Sequence, residues 1–182
     1  MGCCGSKSIQ NDTDPPMPLR ICLLGLPGVG KTSLVEFVAG EYDPHLRPIP
    51  TLGVVVRCVK YKDQKCIFMD CGGSSGHDDD YDNCIKQANA VIYVMDPVSI
   101  HHGYTFTKQL LDKTAEDVRN QKIPVLFAML KTQNESIVPM VGSLVDQYFY
   151  NSVYKIKTHA SLNDGFSESF DWLIEAANNM RR

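Results

Sequence analysis

The sequence lacks the features that would place a protein outside the cell or across a membrane. Its seven cysteines are scattered over 182 residues without a Cys-x-x-Cys pair, which argues against a zinc site and against a secreted disulfide framework. No stretch approaches the roughly 20 apolar residues that a spanning helix needs, and the start lacks a signal-peptide apolar region. We therefore expect a protein of a reducing, cytosolic compartment that does not cross a bilayer.

Positive charge in excess and internal repeats are also missing. The formal net charge is −3, and 43% of the residues are hydrophobic, which is typical of one globular domain with a well-filled core. Because no general basic surface is expected, nucleic acid is disfavoured as the main ligand.

The first residues carry a pattern that is typical of lipid attachment. Gly2 stands in a Met-Gly-x-x-x-Ser myristoylation motif, and Cys3 and Cys4 are available for palmitoylation. One myristoyl chain binds membranes only marginally, so stable attachment takes a second signal. Only Lys7 and Arg20 are basic before the first apolar run, so the cysteines are expected to supply that signal. The alternative is an unmodified tail that happens to begin with Met-Gly.

Composition and periodicity divide the chain into a tail and one domain. Residues 1–18 are expected to form a flexible, lipidated segment, and residues 19–182 a domain. The predicted strands are 19–24, 52–61, 65–69, 90–95, 123–129 and 152–156. The predicted helices are 32–39, 104–120, 136–148 and 164–180, and the predicted loops include 62–64 and 70–80, the latter with three aspartates at 78–80. This alternation predicts an α/β fold with a mostly parallel sheet covered on both faces.

A glycine-rich turn between the first strand and the first helix fits the P-loop pattern. Residues 25–32 read Gly-Leu-Pro-Gly-Val-Gly-Lys-Thr. The glycines let successive N–H groups point at phosphate oxygens, and the following helix adds its positive end. Lys31 is expected to reach the β- and γ-phosphates and Thr32 to offer its hydroxyl to Mg²⁺. The predicted nucleotide-binding residues of this segment are Gly25, Gly28, Val29, Gly30, Lys31, Thr32 and Ser33.

Two further segments can complete a nucleotide-dependent switch. Thr51, in Pro-Thr-Leu-Gly, can supply a second hydroxyl on the Mg²⁺ side. Asp70, directly after an apolar strand, can supply the acidic partner of the metal, and Gly73 an amide that senses the γ-phosphate. The predicted metal-site residues are therefore Thr32, Thr51 and Asp70.

Together with Asp-Trp-Leu at residues 171–173, these motifs make the chain resemble the Ras-superfamily small GTPases, most closely the Arf-like (ADP-ribosylation-factor-like) branch, over residues 19–180. The resemblance implies a P-loop three-layer sandwich with a six-stranded sheet and five helices. It implies GTP or GDP and Mg²⁺ as ligands, and an exchange factor, an activating protein and effectors as partners. It also implies a lipid-anchored switch protein on the cytoplasmic face of a membrane, with a cytosolic pool.

One departure from the family pattern concerns hydrolysis. Where the family has a glutamine that orients the attacking water, this chain has Ser74, which is too short for that role. His77 is a candidate replacement on the same loop, or alternatively a solvated histidine. Gly73, Ser74 and His77 are thus the catalytic candidates, and hydrolysis without a partner is expected to be very slow.

A second departure concerns the base. The family reads guanine with Asn-Lys-x-Asp, whereas residues 130–133 here are Leu-Lys-Thr-Gln. Lys131 can still lie along the base, but Gln133 lacks the carboxylate, a loss of about 1.5–3 kcal/mol. A two-residue slip would offer Glu135 instead. By resemblance, the amide of Ala160 is expected to contact the guanine oxygen.

The departures leave two hypotheses open. The intact phosphate and metal residues favour a membrane-attached GTP-binding switch. The changes at Ser74, Leu130 and Gln133 favour a non-hydrolysing scaffold, nucleotide-locked or nucleotide-poor, on the same fold. A P-loop kinase is not expected, because no arginine-rich lid is found.

Overall fold

The computed structural model describes residues 17–46, 49–72, 78–96, 104–132, 135–150 and 152–181. Strands and helices alternate along these residues. The six strands are β1 (Leu19–Leu24), β2 (Val54–Tyr61), β3 (Gln64–Cys71), β4 (Ala90–Met95), β5 (Val125–Leu130) and β6 (Tyr154–His159). The five helices are α1 (Lys31–Ala39), α2 (Asp78–Gln87), α3 (Tyr104–Gln121), α4 (Ile137–Phe149) and α5 (Phe166–Met180). None of these helices is both long and apolar enough to span a bilayer.

The strands form one sheet in the order β2-β3-β1-β4-β5-β6, in which β2 alone is antiparallel to its neighbour. The strands β4 and β5 are buried along their whole length, because helices cover both faces of the sheet. The carboxyl ends of the parallel strands lie at one edge, where ligands bind in open α/β sheets. The predicted fold, a six-stranded and mostly parallel sheet between helices, is confirmed.

Two apolar clusters fill the space between the sheet and its helices. The first joins one face to α2, α3 and α4, and it contains Cys22, Tyr93 and Phe127. The second joins the other face to α1 and α5, and it contains Phe68 and Phe170, whose ring centroids are 5.8 Å apart. The domain is therefore a three-layer sandwich.

The largest error in the predicted elements lies between residues 70 and 80. The loop predicted for residues 70–80 was wrong at both ends, because residues 70–71 still belong to β3 and the helix α2 begins at Asp78. The helix begins at Asp78, and aspartates are favoured in a first turn because negative charge interacts well with the positive end of the helix dipole. Tyr81, Cys84 and Ile85 are buried at helical spacing, which fixes the helix on the sheet.

Smaller errors concern the hairpin and the last strand. The hairpin turn has two residues instead of three, because Lys62 adopts a left-handed conformation with φ +51°. Gln64 instead begins β3, and its Nε2 donates to the carbonyl of Met17 at 3.0 Å. The strand β6 runs further than the predicted 152–156, since it continues to His159. The predicted division at residue 18 stays a prediction.

Candidate nucleotide-binding site

The glycine-rich turn between β1 and α1 has the backbone conformation that its sequence requires. Gly25 adopts φ +136°, and a Cβ there would lie 2.2 Å from the carbonyl oxygen of Val94. Gly30 adopts φ +112° immediately before α1 begins at Lys31. Side chains are strained at such φ values, so only glycine fits both positions. The turn therefore carries the chain from the carboxyl edge of β1 into the N-terminus of α1, where backbone N–H groups and the dipole favour an anion.

Lys31 is a buried cation at the start of this helix. Its side chain is 6% exposed, and its Nζ donates to the carbonyls of Gly25 at 2.8 Å and Leu26 at 3.0 Å. Burial lowers the pKa of the Lys31 ammonium, and the carboxylate of Asp70 opposes that shift. An ammonium that is held over backbone carbonyls in a poorly solvated turn is suited to an anionic partner such as phosphate.

Three oxygen-bearing side chains meet beside the turn. The hydroxyl of Thr32 donates to Asp70 Oδ2 at 2.7 Å, and its Oγ1 lies 3.1 Å from the Oγ1 of Thr51. The Thr51 hydroxyl in turn donates to Asp70 Oδ2 at 3.3 Å. Asp70 is 3% exposed, and its Oδ1 has no hydrogen-bond partner among the described residues. A buried carboxylate oxygen beside two hydroxyls is an oxygen-only set, which suits Mg²⁺.

A contact that the sequence did not predict joins the two switch segments. The amide of Gly72 donates to the carbonyl of Gly53 at 2.7 Å, and a Cβ on Gly72 would lie 2.4 Å from the Thr51 carbonyl oxygen. The Tyr81 hydroxyl, from α2, donates to the Gly72 carbonyl. The glycine doublet at residues 72–73 was the available signal, because such close backbone contact requires glycine. Gly73, Ser74 and His77 themselves lie outside the described residues.

The end of β5, which carries the residues predicted to read the base, lies against the glycine-rich turn. Lys131 Nζ lies 3.2 Å from Asp96 Oδ2 and donates to the Gly28 carbonyl at 3.2 Å. Leu130 is buried, and its Cδ1 would lie 3.1 Å from a Cβ on Gly30. The segment is thus tied to the glycine-rich turn by a lysine bridge and by an apolar side chain. Sequence reasoning missed Asp96, although it directly follows a buried strand at the carboxyl edge.

The remaining base candidates are placed as follows. Ala160 is exposed directly after β6, and the carbonyl of the preceding His159 accepts from the amide of Thr132 at 3.2 Å. Glu135 lines an open cavity of about 470 Å³ between β6 and the start of α5. Gln133 lies outside the described residues, as do Gly2, Cys3 and Cys4, so the roles assigned to these residues stay predictions.

Sequence comparison relates the chain to a known family. The profile of the ADP-ribosylation factor family matches residues 6–177. ADP-ribosylation factor F of Dictyostelium discoideum is 25% identical over 162 residues, which cover 86% of this chain and 84% of that protein. ADP-ribosylation factor-like protein 1 of Drosophila melanogaster is 28% identical over 159 residues, which cover 85% of this chain and 87% of that protein.

Comparison with solved structures agrees on the fold. The Arl6 BBS3 small GTPase of Trypanosoma brucei, with the bound nucleotide analogue GppNp, superposes with a TM-score of 0.76. The match covers 90% of this chain and 99% of that one at 21% sequence identity. At this identity the likeness concerns the fold.

Proposed function

Because this chain belongs to the ADP-ribosylation factor family, we propose that it is a membrane-associated small GTP-binding protein, a nucleotide-dependent switch with very slow intrinsic hydrolysis. The observation that carries this proposal is the convergence of Thr32, Thr51 and Asp70 beside the glycine-rich turn. These side chains come from three separate segments, and they meet where a metal ion bound to a triphosphate would need oxygen ligands.

The phosphate groups would be bound by the turn and by Lys31. The backbone N–H groups before α1 and the Lys31 ammonium supply positive charge, and Thr32, Thr51 and Asp70 would hold Mg²⁺. When bound, the metal neutralises charge that develops on the phosphate oxygens. The residues fit such an ion because Asp70 keeps one buried oxygen without a partner among the described residues.

The switch would operate through the contact between the two segments. A triphosphate would hold Thr51 from one segment and the Gly73 amide from the other, and hydrolysis would release both. The hydrogen bond from the Gly72 amide to the Gly53 carbonyl joins the two segments, so a movement of one would have to break this contact or displace the other.

A surface for effectors lies on the same segments. Ile49 is 87% exposed and Leu52 is 81% exposed, and Val55 and Val56 on the edge strand β2 are also exposed. These residues lie within positions 49–56, with Val55 and Val56 on opposite faces of β2, and exposed apolar side chains around one segment are typical of an interaction surface. We infer that effectors read the nucleotide state here, while an exchange factor and an activating protein drive the cycle.

Hydrolysis is proposed to be slow without a partner. Ser74 stands where the family carries the water-orienting glutamine, and His77 is the candidate to replace it. An intact small GTPase is already slow alone, at about 3–5 × 10⁻⁴ s⁻¹ in the best-studied case. The loss of the glutamine leaves even less to position the attacking water.

One observation favours the alternative, a non-hydrolysing scaffold. Leu130 stands where the family has the first polar residue of its base motif, and its side chain is buried in the second apolar cluster. A position that the family uses for base recognition therefore contributes to the core. Guanine selection would then rest on Lys131, the Ala160 amide and Gln133 or Glu135.

A titration with fluorescent GTP, GDP and ATP in the presence of Mg²⁺, followed by single-turnover hydrolysis, tests the proposal. Tight binding of guanine nucleotides with slow but measurable turnover is expected, whereas tight binding without turnover supports the locked scaffold. No binding of any nucleotide would overturn the switch. Gln133→Asp should raise guanine affinity by about tenfold to a hundredfold, with Gln133→Asn as its uncharged control.

Membrane attachment is proposed to depend on acylation of Gly2, Cys3 and Cys4, which would place the protein on the cytoplasmic face of a membrane. Fractionation of cells that express Gly2→Ala tests this part. The variant should move into the cytosolic fraction, and an unchanged membrane fraction would contradict the proposed anchor.

A further inference from the structure

Two lysines face each other across the β2–β3 hairpin. Lys60 and Lys65 are direct partners in the antiparallel register, so their side chains project from the same face of the sheet. Both are exposed, and neither forms an ion pair with an acidic group in the part of the chain that the structure describes. Like charges placed directly opposite each other destabilise a strand pair. The pair therefore contributes nothing favourable to the hairpin itself, and it leaves two exposed cations on one face for a partner.

Two more cations extend the pair into a row. We call this set the basic row: Arg20, Lys60, Lys65 and Lys86. Arg20 pairs with Ile67, two residues beyond Lys65 on β3, and therefore projects from the same face. Lys86 lies in the last turn of α2, which packs on that face, and the Asn89 amide just after α2 donates to the Arg20 carbonyl at 2.7 Å. All four members are exposed.

Nearby acidic groups leave the row positive. Asp171 is already paired with Lys62 of the hairpin turn at 2.7 Å. Asp82 precedes Lys86 by one helical turn but forms no ion pair with it within the described residues. Asp63 of the hairpin turn is also exposed, so the row presents four cations beside the carboxylates of Asp63 and Asp82, although the net charge of the chain is −3.

The row lies beside the point where the N-terminal segment joins the domain. The carbonyl of Met17 accepts from Gln64 Nε2 at 3.0 Å and from an Arg181 guanidinium nitrogen at 3.2 Å. Gln64 is adjacent in sequence to Lys65, and Arg20 follows Met17 by three residues. Residues 1–16, with their acylation motif, are thus joined to the end of the sheet that carries the basic row.

We propose that the basic row is a docking surface for an anionic phospholipid membrane. The proposal rests on the membrane association proposed above and names the surface of the domain that would contact the lipid. A single acyl chain holds a protein only marginally, and a basic surface is one of the signals that can complement it. Each cation close to an anionic leaflet strengthens binding about fivefold. The sequence alone does not reveal this surface, because its members come from three strands and a helix end that only the fold brings together.

The test uses the full-length protein produced without acyl groups, so that a failure of acylation cannot be mistaken for a failure of the basic row. Its binding is measured by co-sedimentation with phosphatidylcholine vesicles that either contain or lack phosphatidylserine. The variant Lys60→Gln/Lys65→Gln removes the facing pair. The matched control Lys108→Gln/Lys157→Gln removes the same charge from exposed positions on α3 and on the opposite edge strand β6. Circular dichroism checks that both variants are folded.

We expect the wild-type protein to bind vesicles with phosphatidylserine more tightly than those without, and to lose that preference at high salt. The Lys60→Gln/Lys65→Gln variant should bind about thirtyfold more weakly, while the control stays within about twofold of the wild type. A wild-type protein without preference for the anionic vesicles overturns the proposal. An equal loss in both double variants also overturns it, because net charge and not the basic row would then govern binding.

Discussion

At the scale of single residues, the site depends on glycines that leave no room for a side chain. Gly72 is the clearest case, because its backbone lies against the carbonyls of Thr51 and Gly53. A side chain here would separate the two segments that are proposed to respond to the nucleotide. In a helix where a Cβ has space, by contrast, replacing glycine with alanine is expected to raise stability.

Gly72→Ala should therefore destabilise the domain by about 1–3 kcal/mol, since a Cβ 2.4 Å from the Thr51 carbonyl oxygen forces the backbone to shift. Gly142→Ala is the matched control, because its nearest neighbour, Ile156 Cδ1, is 3.9 Å from the new Cβ and alanine favours a helix by up to about 1 kcal/mol. Urea denaturation of both variants measures the difference. Equal stabilities would show that the tight contact is absent in solution.

A second residue-scale prediction concerns alkaline pH. Burial raises the pKa of the Cys66 thiol from 9.0 to about 11. The folded state then holds this proton more tightly than the unfolded chain, so its contribution is complete below pH 9 and is lost as the pH rises towards 11. The loss is at most about 2.7 kcal/mol.

Unfolding free energies measured at increasing pH under reducing conditions check this. Cys66→Ala should show a shallower decline above pH 9 than the wild type. Cys58→Ala, which removes an exposed thiol, should keep the wild-type slope. Identical slopes for all three proteins would contradict the assignment to Cys66.

At the scale of elements, continuous apolar runs were predicted well and polar elements were not. The strands β1 and β4 have the predicted bounds because every residue but Arg20 is buried, which leaves a clear signal in the sequence. The helix α2 was missed because its first turn consists of aspartates, and its buried residues Tyr81, Cys84 and Ile85 are too few to dominate a window. Hydrophobic periodicity in a sequence reflects which residues are buried. A helix that buries only a narrow stripe therefore gives a weak periodic signal.

The register of the β2–β3 hairpin can be tested by a stability measurement that does not involve the nucleotide site. Lys65→Glu places an acid directly opposite Lys60, so the cross-strand repulsion becomes an attraction. The exchange should stabilise the domain by about 0.2–1 kcal/mol. Thermal or urea unfolding measures it, with Lys108→Glu on α3 as the control of equal charge. A destabilised Lys65→Glu protein would mean that the two side chains do not face each other.

At the scale of the whole molecule, the resemblance seen in the sequence is confirmed by the family match over residues 6–177. The phosphate side was predictable because its residues follow one another in a P-loop. The bridge from Lys131 to Asp96 and Gly28 could not be predicted, because it joins three loops that are distant in sequence. The basic row was missed for the same reason, because only the strand order brings its members together.

Nucleotide binding should stabilise the entire domain. At a free GTP concentration of about 100 times Kd, with Mg²⁺, the gain is about 2.7 kcal/mol, which raises the Tm of a domain of this size by about 5–10 °C. Differential scanning fluorimetry measures the shift, and EDTA should remove most of it. Asp70→Asn should lose the Mg²⁺-dependent part, whereas the exposed control Asp112→Asn should keep it. A full shift in EDTA would exclude a metal role for Asp70.

The contact between Arg181 and the Met17 carbonyl has a practical consequence for imaging. It places residues 17 and 181 together, at the end of β1 opposite the glycine-rich turn and about 20 Å from it. A fluorescent protein fused directly after residue 181 would therefore crowd the face on which Met17 lies and compete with any surface that this face contacts.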